Sequence, residues 1–158
     1  MPDKINVGDS LTDLPGYSKK LPSNDGEERS LSQYNGEKSV VLFFFPRAAS
    51  TGCTKEVCSF RDSYNEFQSA GAQVIGISSD SPAALSDFAK AQRAQYPFLS
   101  DANGELRKEL GVQGNLLGFV PGRETFVISK EGVVLLRFND GLHFNKHVQE
   151  ALKCIQKQ

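Results

Sequence analysis

Two cysteines five positions apart, Cys53 and Cys58 in STGCTKEVCSFRD, are the residues of this chain best suited to chemistry. A thiolate is a strong nucleophile, and position decides whether a thiol ionises or stays an inert core side chain. The run before them, Val40 to Phe45, is apolar throughout and has the β-branched and aromatic bias of a strand buried on both faces. It is too short to cross a membrane. Pro46 removes a backbone donor and stops such a ladder, while Ser50, Thr51 and Gly52 suit a tight turn and a helix cap. Val57, Phe60, Tyr64, Phe67 and Ala70 then recur at three- and four-residue steps, predicting one amphipathic helix from near Cys53 until Gly71. Cys53 is therefore expected in the first turn of a helix at the carboxyl end of a buried strand. Unpaired backbone N–H groups and the helix dipole favour a thiolate there.

Cys58 stands five positions further along the same predicted helix, so ideal geometry separates the two Cα atoms by roughly 8 to 9 Å. A disulfide needs Cα atoms within about 7 Å. A bond between them requires the first helical turns to unwind, which suits a pair that cycles between redox forms better than a static staple.

The elements that must position this pair follow from pattern. Ile5, Val7, Leu11 and Leu14 could lay a short extended segment on the domain edge, with little regular structure before Gly16. Pro22, Asn24, Asp25 and Gly26 suggest a hairpin connection ahead of Ser30 to Tyr34, and Asn35 and Gly36 a turn into the central strand. Ala72 to Ser78 reads as a second buried strand, parallel to the first through a right-handed crossover. Ser81 and Pro82 open a helix carrying Leu85, Phe88, Ala89 and Gln92. Phe98 and Leu99 form a short strand, and Asp101 caps a weaker helix from Asn103 to Leu110. Gly111 to Gly122 mixes glycines with apolar residues as though something packs on it. Thr125 to Ser129 and Val133 to Phe138 form a hairpin, and a helix from about Asn145 to Ile155 follows. The order resembles a thioredoxin-like α/β domain, a central mixed sheet with helices on both faces, and one domain is expected over residues 1–158. Chemistry in such sheets gathers outside the carboxyl ends of the parallel strands.

The totals narrow the function. The 158 residues carry 18 Lys plus Arg against 19 Asp plus Glu, a net charge of -1, which leaves no electrostatic footprint for nucleic acid or an anionic membrane. Three cysteines are too few for a disulfide framework and point to a soluble chain in a reducing compartment. The first thirty residues match neither a secretory signal nor an arginine-rich transit peptide.

The stretch PRAASTGCT with CTKEVCSFRD resembles the active-site segment of the peroxiredoxins, specifically the Q type, also called the bacterioferritin comigratory protein type. GAQVIGISSDS, YPFLSD and VPGRETFVIS extend the resemblance over most of the chain, from about Val7 to Ile155. It implies a thiol peroxidase for hydrogen peroxide and organic hydroperoxides, with Cys53 as nucleophile, Cys58 as resolving thiol, and thioredoxin or a similar dithiol as reductant. It also implies a monomer in bacterial cytoplasm or, after loss of a transit peptide, in the plastid stroma; VPGRETFVIS and GVQGNLLG look most like the plastid branch.

A thiolate attacking one peroxide oxygen while the other leaves needs donors aimed at both oxygens. The Ser50 hydroxyl and the N–H groups of Gly52 and Cys53 can supply them, and Pro46 shapes the loop and shields the sulfur. Arg123 opens a strand expected antiparallel to Val40 to Phe45, which would bring it beside the Cys53 loop. The resemblance gives that arginine the role of stabilising thiolate and transition state. In the family, threonine then proline usually precede the glycine and cysteine; Ser50 and Thr51 here lack the β-methyl and the fixed φ that would pre-organise the loop. Substrate preference is expected to rest on Phe45, Ala48, Phe119 and Val120.

Other residues read as bland. Cys154 is expected to be a packed, idle thiol. His143 and His147 are four apart without a third ligand, so solvated histidines are expected and no metal. Phe43 to Phe45 is core, and no glycine-rich phosphate loop calls for a nucleotide or flavin cofactor. Two other functions compete. A protein disulfide reductase uses cysteines two residues apart, unlike the four-residue gap here. A redox sensor or holdase would change client binding on oxidation without turning over peroxide.

Overall fold

The computed structural model describes residues 5–45, 48, 51–112, 124–139 and 144–157, with backbone alone at 51–53 and 144. In chain order the elements are α1 (Pro15–Ser18), β1 (Leu21–Pro22), β2 (Glu28–Arg29), a 3-10 turn (Leu31–Tyr34), β3 (Ser39–Phe44), α2 (Thr51–Asp62), α3 (Tyr64–Ser69), β4 (Ala72–Ser78), α4 (Pro82–Gln92), β5 (Phe98–Ser100), α5 (Glu105–Glu109), β6 (Glu124–Ile128), β7 (Val134–Asn139) and α6 (Phe144–Gln156). β1 and β2 form the small hairpin expected from its turn residues. The main sheet runs β5-β4-β3-β6-β7. β3 is parallel to β4 and β4 to β5, while β6 is antiparallel to both β3 and β7.

β3 is central because all six of its residues are buried, with alternate side chains serving opposite faces of the sheet. Val41 and Phe43 join Val57, Phe60, Phe67, Leu85, Phe88, Val148 and Ile155, so α2, α3, α4 and α6 cover one face. Val40, Leu42 and Phe44 join Leu11, Tyr17, Leu31, Leu106 and Leu110 on the other, beneath α1 and α5. Gly76 in β4 makes room for the rings on the first face: a Cβ there would stand 2.9 Å from Phe43 Cζ and 3.0 Å from Phe98 Cδ2. Phe43 stacks on Phe60 at 4.4 Å between ring centres, which seats α2 directly on the central strand.

One expectation changes. The single helix from Cys53 to Ala70 is two helices broken at Ser63, whose φ of -101° and ψ of 7° leave the α region. The apolar period runs unbroken because Tyr64 and Phe67 of α3 are buried on the same sheet face as Val57 and Phe60 of α2. As expected, the described N-terminal residues hold no regular element before the short α1 at Pro15. The extended part of this segment does lie on the domain edge: Gly8 and Leu11 N–H donate to the carbonyls of Val134 and Gly132. Among the described residues no helix is long and apolar enough to cross a membrane.

Candidate active site

Cys53 and Cys58 lie on one helix, α2, which begins at Thr51 beyond the carboxyl end of β3. Cys53 is the third residue of that helix, among N–H groups that have no intrahelical partner. Cys58 is part-buried and a free thiol, its Sγ 3.4 Å from Gln92 Oε1 at the end of α4. Arg61 bridges the same two helices, Nη1 donating to the Gln92 carbonyl at 2.7 Å. From below, the buried Tyr96 hydroxyl donates to the Val57 carbonyl at 2.7 Å, between the two cysteines' turns and the sheet.

Pro46, Ser50 and Arg123 lie outside the described residues, as do Phe119, Val120, His143 and most of Gly111 to Gly122. The neighbours of these residues are placed. Phe45 is fully buried and its N–H donates to the Ile77 carbonyl at 3.1 Å, continuing the β3 ladder up to Pro46. Glu124, which follows Arg123, pairs with Phe44 across the antiparallel β3 and β6, so the expected strand arrangement forms.

The loop between β3 and α2 has an anchor that sequence reading did not single out. Asp80 Oδ2 accepts the Ala48 N–H at 2.7 Å and the Ser78 hydroxyl at 2.7 Å. The Ser100 hydroxyl in turn donates to the Asp80 carbonyl at 2.7 Å, so the ends of β4 and β5 hold the loop. The only sequence trace of this is the polar run SSDS directly after a buried strand.

Two half-buried guanidinium groups stand behind this edge of the sheet. Arg107 lies over the Phe44 ring at 5.4 Å and reaches toward the Phe45 carbonyl. Burial pushes its guanidinium below the ordinary arginine value, against the opposing pull of Asp101 and Glu124. Arg137 uses all five of its N–H donors: Nε and Nη2 hold Glu124 bidentately at 2.6 and 3.0 Å, and Nη1 and Nη2 reach the carbonyls of Ile5, Leu110 and Gly111 at 2.8 to 2.9 Å.

His147 is a correction. It is not solvated but fully buried, because α6 turns it onto the sheet, where Nδ1 meets Thr125 Oγ1 at 2.7 Å and Glu56 Oε2 at 3.5 Å. Glu56, also fully buried, is one turn along α2 from Cys53. Cys154 is part-buried against the core, and that burial raises its thiol pKa.

The AhpC/TSA family matches residues 12–137. A protein from Populus jackii, "Peroxiredoxin Q, chloroplastic", is 44% identical over 153 residues, 97% of this chain and 69% of its own length. The chain is a Q-type member of the peroxiredoxin (AhpC/TSA) family. A second peroxiredoxin Q, from Gentiana triflora, is 46% identical over 136 residues, 86% of this chain and 62% of its own, so the chain spans about two thirds of these curated relatives. Among solved peroxiredoxins, peroxidoxin BcpB from Mycobacterium tuberculosis has a TM-score of 0.86 at 37% identity and covers 97% of both chains. The bacterioferritin comigratory protein of Xanthomonas campestris has a TM-score of 0.84 at 26% identity, over 94% of this chain and 98% of its own. The fold is the thioredoxin-like α/β arrangement expected from element order, and the class is that of thiol peroxidases.

Proposed function

We propose that this peroxiredoxin reduces hydrogen peroxide and organic hydroperoxides through Cys53, resolves the product with Cys58, and is recycled by thioredoxin or a similar dithiol. The observation that carries this reading is the placement of both cysteines on α2, Cys53 in its first turn beyond the buried β3. The Cys53 thiolate attacks one oxygen of the O–O bond, which breaks; the sulfur becomes a sulfenic acid and the other oxygen leaves as alkoxide or hydroxide, then takes a proton. Ser50, the N–H groups at the start of α2 and Arg123 supply donors to the oxygens, and Pro46 shields the sulfur. The Cys58 thiol then attacks the sulfenic sulfur, water leaves, and a disulfide forms. An external dithiol reduces it through a mixed disulfide.

Helical spacing keeps the two Cα atoms roughly 8 to 9 Å apart, so ring closure requires α2 to open. The Xanthomonas relative is described by its alkyl peroxide reduction activity, which supports organic hydroperoxides as substrates. The chloroplastic relatives support a plastid compartment.

Peroxide consumption coupled to thioredoxin, its reductase and NADPH tests the assignment. The parent should turn over, Cys53→Ser should be inactive, and Cys58→Ser should react once without recycling. Recycling by Cys58→Ser at the parent rate would show that an outside thiol resolves the sulfenic acid.

A further inference from the structure

The link between α2 and α6 is built of polar groups at two depths. Inside, Glu56 Oε2 lies 3.5 Å from His147 Nδ1, which also meets Thr125 Oγ1 of β6 at 2.7 Å, and all three residues are fully buried. The edge of the Phe138 ring system meets the imidazole at right angles, 4.9 Å between centres, and fixes its plane. At the rim, Ser59 Oγ of α2 stands 2.7 Å from the side-chain amide of Asn145 in α6. Glu56 is three residues beyond Cys53 and two before Cys58, within the segment whose unwinding joins the two sulfurs.

A carboxylate with no solvent exposure keeps its place only while polar partners hold it. Opening the first turns of α2 must draw Glu56 away from His147. We propose that Glu56 and His147, with the Ser59 and Asn145 contact at the rim, form a latch on α2 that sets how fast the Cys53 sulfenic acid reaches Cys58. The inference rests on the proposed resolving role of Cys58. Glu56 and His147 act as positioning residues: they govern the helix and take no part in breaking the O–O bond. Latch strength then decides between two fates of the sulfenic acid. It either condenses with the Cys58 thiol, losing water, or meets a second peroxide, which transfers an oxygen to give the sulfinic acid and leaves as alcohol or water.

Single-turnover oxidation of the full-length chain by hydrogen peroxide tests this. Sulfenic acid is followed with a trapping reagent, and disulfide and sulfinic acid by mass. The variants are His147→Phe, which keeps an aromatic ring beside Phe138 but removes Nδ1, and Ser59→Ala at the rim. We expect His147→Phe to close the disulfide about tenfold faster, the equivalent of about 1.4 kcal/mol, and to form less sulfinic acid at high peroxide. Ser59→Ala should move closure the same way by less, and the rate of sulfenic acid formation should hold in both. His147→Gln, which retains a polar end, should fall between parent and His147→Phe. If His147→Phe does not fold, Ser59→Ala and His147→Gln decide the matter. Closure unchanged or slower in the folded variants overturns the latch. A parent that forms no Cys53 to Cys58 disulfide overturns the resolving role and the latch together, so the two failures are distinguishable.

Discussion

One oxygen of Asp80 accepts both the Ala48 N–H and the Ser78 hydroxyl, and this pairing ties the loop that leads to Cys53 to the end of β4. Asp80→Ala leaves the Ala48 N–H without its acceptor, and displacing a reacting group by about 1 Å costs on the order of 10²-fold in rate. We expect Asp80→Ala to lower kcat/KM for peroxide by about tenfold or more. Asp80→Asn should keep most of the activity, since an amide oxygen accepts the same N–H. Initial rates at subsaturating peroxide separate the two, and equal losses would assign the effect to charge rather than to the acceptor. Cys53 and Cys58 are legible in the sequence because thiols are rare and a local apolar period puts both on one helix. Asp80 is not, because its loop partner lies 32 residues earlier in the chain. His147 hides for a related reason: a histidine near a helix start reads as solvated until the rotation of α6 against β6 is known.

At the level of elements, Arg137 on β7 gathers the N-terminal segment, the end of α5 and the first residue of β6 through five hydrogen bonds. Its side chain is 12% exposed and that of Glu124 is 2% exposed, so breaking the pair leaves a carboxylate buried without its counter-charge. Arg137→Met should destabilise the fold by about 3 to 5 kcal/mol. Arg137→Lys should recover only part of that, because an ammonium cannot reproduce a planar fork with five donors. Urea unfolding of both variants gives the comparison, and a full recovery by lysine would show that charge alone suffices. β3, β4 and α4 are legible from apolar runs and from the Ser81 and Pro82 start, where Ser81 Oγ accepts the Ala84 N–H as a cap. The break at Ser63 is not, since an apolar stripe keeps its period when two short helices pack on one sheet face.

For the molecule as a whole, alkaline pH probes buried phenols on both faces of the sheet. Burial raises the Tyr96 hydroxyl well above its ordinary value, and burial also raises Tyr17 and Tyr34. The folded state therefore holds these protons more tightly than the unfolded chain. Their contribution is complete below the ordinary tyrosine value of about 10 and declines as pH rises past it toward the folded values. Stability measured by urea should fall across that range. Tyr96→Phe should flatten the fall and cost about 1 kcal/mol at neutral pH, through loss of the bond to the Val57 carbonyl. Fold class is legible at this scale because alternating burial on β3 and the order of elements leave few ways to cover both faces of the sheet. The path of Arg137 across three segments is not, because register and loop closure fix it. The same Tyr96 bond has a spectroscopic consequence. The chain has four tyrosines and no tryptophan, so emission excited in the phenol absorption band comes from tyrosine alone. One of these phenols is hydrogen-bonded to the backbone of α2, so under the proposed resolution cycle the opening of α2 should change tyrosine emission, a label-free optical readout of which redox form is present.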